Sequence, residues 1–176
     1  MKKLILLLSF VISTSLSAQA QIKNESFDKQ VEAMKKFDFL VGRWKGSGWI
    51  VLGQNNRQTF TIDETLQSKL NGTIVVIEGV GKNAEKTIIH NAFAVISYNA
   101  EKQTCRWNAY TKDGFSMEAT AEVSDKKIIW GFQSQFGQVR YTITLTEKGN
   151  WLEVGEFSRD GTNWFKNFEM ELKKVK

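Results

Sequence analysis

Four segments of the chain alternate apolar and polar positions with a period of two. Phe60, Ile62, Leu66 and Leu70 alternate with Thr61, Asp63, Thr65, Gln67 and Lys69, and Phe115, Met117, Ala119, Ala121 and Val123 alternate with Ser116, Glu118, Thr120 and Glu122. Val139, Tyr141, Ile143 and Leu145 do the same against Arg140, Thr142 and Thr144, as do Trp164, Phe168, Met170 and Leu172 against Asn167, Glu169 and Glu171. Such spacing predicts strands with one buried and one wet face. Ile128, Trp130 and Phe132 continue the pattern less cleanly, because Ile129 takes the other parity. Further strand-like runs at 73–81, 87–98, 104–111 and 150–158, together with the segment that opens at Gly42, bring the expectation to ten strands. One stretch breaks the period. From Phe27 to Phe37, Phe27, Val31 and Met34 recur at helical spacing among Asp28, Lys29, Glu32, Lys35 and Lys36, which predicts a short amphipathic helix.

Composition sharpens this picture at the turns. The 176 residues include no proline, so glycine, asparagine and aspartate must turn the chain, and they cluster between the strand-like runs at Asn71-Gly72, Asp113-Gly114, Gly149-Asn150 and Asp160-Gly161. Short strands joined by such turns predict an all-β, antiparallel barrel or sandwich, and an up-and-down barrel is the architecture expected here. Closure leaves no exposed edge but two open ends, and the amphipathic helix is expected to cover one of them.

The first strand begins FLVGRWKGSGWI, which places Trp44, Gly46 and Gly48 on one face. An inward Trp44 is expected to plug one end of the barrel. The two glycines above it either keep space open in the lumen or let the strand coil sharply for closure. Gly42, Trp44, Gly46 and Gly48 form a GxWxGxG stretch. Following a short helix and opening an all-β chain of this length, it resembles the lipocalin-like barrels of the calycin superfamily, and is similar to bacterial domains of unknown function and to nitrobindin. The Ser158–Trp164 hairpin fits the same group. Nitrobindins hold haem through a histidine on their final strand, a position this chain does not match. Residues 167–175 contain no histidine, and the sole histidine, His90, belongs to a different predicted strand.

The inward faces define a candidate lumen. Trp107, Met117, Trp130, Phe132 and Tyr141 are its expected apolar and aromatic ligand-binding residues, with Phe60, Ile62, Trp164, Phe168 and Met170 on the same parity. Methionine adds an adaptable wall. Glu64, Ser68, Ser134 and Lys166 share that parity. A carboxylate between Ile62 and Leu66 loses several kcal/mol of solvation if buried alone, so Glu64 must be paired, protonated or close to a wet mouth. Lys166, also a candidate ligand-binding residue, is its expected partner, since only the first strand would separate their two strands.

Other chemistry finds little support. One histidine and one cysteine, His90 and Cys105, cannot supply the usual zinc sets, and nothing in their spacing makes a nucleophile and base. No glycine-rich loop joins a strand to a helix, so no nucleotide cradle is expected. A paired-carboxylate site would draw on Glu64, Glu78 and Glu153, the last two of unresolved facing. No catalytic residue, metal or cofactor is expected. Lysines and arginines are interspersed with acids, whereas a nucleic-acid surface needs a concentrated basic stripe.

Residues 1–20 read as a signal peptide, with Lys2 and Lys3, an apolar run from Leu4 to Ile12, and a small-residue end at Ala18-Gln19-Ala20. That run is too short to span a bilayer, which takes roughly 20 apolar residues. Residues 21–40 are then an N-terminal segment with the short helix, and 41–176 the barrel domain. Cys105 alone allows no internal disulfide. The expectation is a periplasmic or secreted barrel, its oligomeric state open, that binds a small apolar or amphipathic molecule. A haem-binding barrel and a protein-interaction module with a filled core remain alternatives. Export carries a direct check: the intact mass of protein from the exported fraction of its host should match a chain that begins at Gln21, and a full-length cytoplasmic product would refute the localisation.

Overall fold

The structure is a computed structural model and describes residues 25–53 and 56–175. The expected signal peptide therefore lies outside the described residues. A helix, α1 (residues 25–35), and a short 3-10 turn, Asp38–Leu40, lead into ten strands: β1 (Gly42–Leu52), β2 (Asn56–Lys69), β3 (Ile74–Lys82), β4 (Ile88–Asn99), β5 (Thr104–Thr111), β6 (Ser116–Ser124), β7 (Lys127–Ser134), β8 (Gly137–Leu145), β9 (Trp151–Ser158) and β10 (Phe165–Val175). Each strand pairs antiparallel with its neighbours in sequence, and β1 pairs with β10 to close the barrel. The period-two segments occupy β2, β6, β8 and β10, as expected, except that Leu70 lies past β2 in a 3-10 turn and is 70% exposed, and Phe115 precedes β6 and is 53% exposed.

Alternation places the core. On β2, Phe60, Ile62, Glu64 and Leu66 are buried, while Arg57, Thr59, Thr61 and Gln67 are exposed. One end of the lumen is packed with Leu66, Val75, Ile96, Ile128, Ile143 and Leu172, each at most 1% exposed. Met34, Phe37 and Leu40 seal that end from below. The helical stripe is used unevenly: Met34 is buried, Val31 is half-buried and Phe27 remains 42% exposed. The covering role expected of the amphipathic segment thus falls mainly on its C-terminal half and on the 3-10 turn that follows.

Trp44 is the plug. Its ring is 1% exposed and meets Trp151 edge-to-face, with centroids 5.9 Å apart. Its Nε1 donates a 2.7 Å hydrogen bond to the Leu40 carbonyl. The 3-10 turn and the first strand are therefore joined through the one polar atom of a buried ring, which needs such a partner.

Of the two roles expected for Gly46 and Gly48, the structure supports closure, for neither holds lumen space open. A Cβ on Gly46 would meet the Glu171 carbonyl oxygen and lie 2.9 Å from the Leu172 Cα, both backbone atoms of β10. One on Gly48 would meet the Glu169 carbonyl oxygen and come within 2.7 Å of the Phe60 ring and of Met170 Cβ. These positions are glycine because β1 runs too close to β10 for side chains, and ring atoms of Phe60 already cover the second.

One correction concerns the start of β10. The β10–β9 register shifts between Lys166 and Phe168, and a bulge of this kind adds a residue and inverts parity. Phe168, Met170 and Leu172 face inward as expected, but Lys166 and Trp164 do not. Lys166 is exposed, pairs with Glu169 and lies 5.7 Å from the centroid of the outer-face Trp49 ring. Trp164 stacks under the Arg140 guanidinium, 4.1 Å from its ring centroid.

The plug sets a stability test. Trp44→Ala should cost about 3–5 kcal/mol in chemical denaturation, the range for emptying a buried aromatic site. Trp44→Phe, which keeps most of the ring but loses the bond to Leu40, should cost about 1–2 kcal/mol. A loss below about 0.5 kcal/mol for the alanine variant is surface-like and would show that the ring plugs nothing.

Candidate functional site

Above the packed end the barrel is hollow. A cavity of about 440 Å³ is lined from every strand, with exposed Ile89, His90 and Phe115 and half-buried Phe132 at its mouth and buried Trp151, Glu64 and Glu153 at its floor. Eight-stranded barrels already have room for one small ligand. Here the aromatic side chains line the space without filling it.

One wall is a slipped aromatic stack. Trp107 of β5 lies on Trp130 of β7 at 4.7 Å and 9°, and Trp130 lies on Tyr141 of β8 at 4.3 Å and 14°. The stack can bridge β6 because that strand places only Ala119 and Ala121 opposite Trp107 and Trp130. Phe168 meets Tyr141 edge-to-face at 5.5 Å, and Phe60 stacks on Phe168 at 5.7 Å. The Tyr141 ring can lie flat across the sheet because its partner on β9 is Gly155, where a Cβ would come within 2.7 Å of it. Met117 and Phe132 complete the apolar lining.

Two carboxyl groups share the floor. Glu64 is 6% exposed and Glu153 is 5% exposed. Trp130 Nε1 donates to Glu153 Oε1 at 3.3 Å. The Trp151 indole N–H is drawn toward the same carboxyl group but makes no well-formed hydrogen bond and is otherwise unpartnered. Glu64 lies on the bare backbone of Gly79, its neighbour on β3, where a Cβ would come within 2.7 Å of either carboxyl oxygen, and one of those contacts is 2.5 Å. A side chain at position 79 would push the carboxyl group out. Burial holds the Glu64 pKa well above the ordinary carboxylate range, with the nearby Glu153 and then Asp63 adding to the shift. Burial likewise pushes Glu153 up to about 7, against the pull of the indole N–H groups. Tyr141 is raised to about 12 by burial and by Glu153, and stays protonated.

The structure thus assembles Trp107, Met117, Trp130, Phe132, Tyr141 and Glu64 around one space, and leaves Lys166 outside it. The expected Glu64–Lys166 pair does not form, because the β10 bulge turns Lys166 outward. Glu153 was the missing member. Its run, WLEVGEFS, is apolar on both parities apart from its glutamates, so alternation could not orient it. Of the three acids considered for a pair, Glu64 and Glu153 meet in the lumen, while Glu78 is exposed.

His90 stands exposed at the mouth. The surrounding walls displace enough water to lower its pKa, against the pull of Asp113. The residues do not fit haem held in the nitrobindin manner: β10 turns Phe168 and Met170 into the lumen where a histidine would be required. Among the described residues no three potential metal ligands gather, and no helix is long and apolar enough to cross a membrane.

The sequence matches no known protein family and no curated protein. Among solved structures, the crystal structure of Rv2717c from M. tuberculosis superposes with a TM-score of 0.63 at 8% sequence identity, over 82% of this chain and 98% of that one. At that identity the likeness establishes a shared barrel fold and says nothing of a shared ligand.

The floor carboxyls set the sign of a pH effect. A carboxyl whose pKa is higher folded than unfolded binds protons better in the native state, so its stabilisation is complete below about pH 4.5 and is lost as pH rises through about 7. Glu153 should contribute a fall in wild-type stability on the order of 3 kcal/mol across that window, and Glu64 a further fall of the same sign. Glu153→Gln should reduce the slope, leaving the part that Glu64 contributes, and be the more stable protein at about pH 8. Parallel pH profiles for the two proteins would show that Glu153 is not buried as described.

Proposed function

We propose that the chain is an exported, non-enzymatic binding protein for a small apolar or amphipathic molecule held in the barrel lumen. The observation that carries this reading is the cavity itself. At about 440 Å³ it falls in the range of roughly 300–1,000 Å³ common to small-molecule sites, and its walls are mostly apolar with a few convergent polar groups. The mouth has a suitable rim: Ile89 and Phe115, 40% and 53% exposed, form an apolar entrance.

The alternative of an interaction module working through outward rings is less well supported. Tyr110 on β5 is 51% exposed and Phe165 on β10 is 66% exposed, but their strands lie on opposite sides of the barrel. Trp49 on β1 is covered by Arg57, 3.9 Å from its ring centroid, and by Lys166. The three rings make no common patch.

N-phenyl-1-naphthylamine, an apolar dye whose nitrogen is not basic, should bind the wild type at a single saturable site. Ala109, which lines the cavity beside Trp107 and Met117, can be enlarged to close it. Ala109→Phe should weaken dye binding by about tenfold or more, since a large ring would occupy much of the space, whereas Tyr110→Ala and Phe165→Ala should leave binding unchanged. A wild type without saturable dye binding would overturn the carrier reading.

A further inference from the structure

We propose that the lumen selects an organic amine, its ammonium head held between Glu64 and Glu153 on the floor and its apolar body running along the Trp107–Trp130–Tyr141 wall toward the mouth. The inference rests on the carrier reading and names the chemical class of its ligand. Three independent features of the cavity point the same way.

The first is an unused acceptor. Glu64 is nine-tenths buried and borders the cavity, yet among the described residues its carboxyl group makes no hydrogen bond, its oxygens open onto the cavity instead of being sealed in the wall, and no cation faces it. Buried polar side chains are ordinarily satisfied, and one left without a partner calls for an explanation. Packing supplies none, because an apolar side chain of similar size would be more stable on the Gly79 surface. A ligand that brings the missing donor accounts for both the acid and the glycine that makes room for it.

The second is the sign of the charges. Among the described residues that line the cavity there is no lysine or arginine. The groups that can carry charge are Glu64 on β2, Glu153 and Tyr141 on neighbouring strands β9 and β8, and His90 on β4 at the mouth, while every other strand contributes uncharged side chains. Behind the wall, Asp63 faces outward and is held ionised by Arg43 and Lys45. An anionic head, such as a fatty carboxylate, would meet two acids and no counter-charge. An alcohol would gain neutral hydrogen bonds only. A primary ammonium offers three donors, enough to serve both carboxyl groups at once.

The third is the difference between the acids. Glu153 is oriented by the Trp130 indole, whereas Glu64 is positioned only by its bed on Gly79. One jaw is fixed and the other can adjust by a small rotation, an arrangement suited to heads of somewhat different size.

Binding is coupled to a proton. The amine arrives as its ammonium ion, a carboxylic acid on the floor gives its proton to solvent, and the ammonium pairs with the carboxylate left behind. No covalent bond changes. One proton is released for each ammonium–carboxylate pair formed, so amine affinity rises with pH by up to about tenfold per unit until that carboxyl is ionised in the free protein. Loss of charge from His90 acts in the same direction, but its pKa is lowered from its ordinary value and its part is separated by substitution.

Displacement of N-phenyl-1-naphthylamine by n-octylamine, 1-octanol and octanoate gives the test, since the three share one apolar chain. At about pH 8, octylamine should displace the dye at a concentration about tenfold or more below octanol, the advantage of a charge-assisted over a neutral hydrogen bond, and octanoate should be the weakest. Between about pH 8 and pH 5.5 the amine should lose most of that advantage, because the carboxyls regain their protons while the ammonium keeps its charge. Glu64→Gln and Glu153→Gln, each tested separately, should shrink the amine preference and its pH dependence while leaving dye binding intact, and His90→Gln should preserve both. Equal displacement by amine and alcohol, a preference for octanoate, or an amine preference that survives both Glu→Gln variants would overturn the proposal while dye binding sustains the carrier reading. A wild type that binds no dye would instead remove the carrier reading itself.

Discussion

The close approach of β1 to β10 is the constraint on which the rest of the barrel depends. At Gly46 and Gly48 the backbone of the last strand occupies the place where side chains would begin, and this contact lets the sheet close on itself. Closure removes the unpaired edges that two terminal strands would otherwise expose. It also fixes depth. With Gly46 opposite Leu172 and Gly48 opposite Met170, Trp44 is held opposite Glu64 on β2, directly between the packed end and the hollow one. A shift of one residue in this pairing would turn Trp44 to solvent and reverse the facing of every inward residue on β1. The GxWxGxG stretch is therefore a closure device, and the cavity is a consequence of where the plug stops.

Above the plug the protein accepts a local loss of stability. Two carboxyls on an apolar floor each forgo solvation, and the shifts in their pKa values measure that loss: both are held protonated into a range where exposed carboxylates are ionised. The indole of Trp130 offsets part of it for Glu153. Nothing comparable offsets it for Glu64. The packed end, where Leu66, Ile96, Ile128, Ile143 and Leu172 interdigitate with Trp44 and Trp151, supplies the stability that tolerates the strained half. One half of the barrel is a core and the other a site, separated by a layer of two tryptophans.

Much of this division was legible in the sequence, and the parts that were not have physical reasons. Strict period-two alternation in β2, β6 and β8 oriented those strands correctly, and Glu64 stood out because a charge interrupted an apolar face. The start of β10 misled because Trp164, Lys166 and Phe168 share a parity only if the strand is regular. A bulge between Lys166 and Phe168 breaks that relation, and no residue there marks it. Glu153 was ambiguous for another reason: Leu152 and Val154 lie half-buried on the outer face of the same strand, so apolar residues occur at both parities. The parity of Trp151, Glu153 and Gly155 was the available signal, since a glycine opposite Tyr141 accommodates its ring. The meeting of Glu64 with Glu153 left no local trace, because β1 and β10 lie between their strands and the contact crosses the lumen.

Charge shows most clearly how site and sequence can point in different directions. The chain carries a formal net charge of +5, a value that on its own suggests attraction for anions. Part of that charge belongs to Lys2, Lys3, Lys23 and Lys176, which lie outside the described residues; the described lysines and arginines lie outside the lumen, and ionic screening confines their influence to about 8–10 Å. In the lumen, low-dielectric walls concentrate the field of a few groups, and apart from His90 at the mouth the groups that can gain charge there are acids. A small ligand inside the barrel experiences the floor rather than the surface. The sign of the interior is thus set by two glutamates on non-adjacent strands, and it opposes the sign of the protein as a whole.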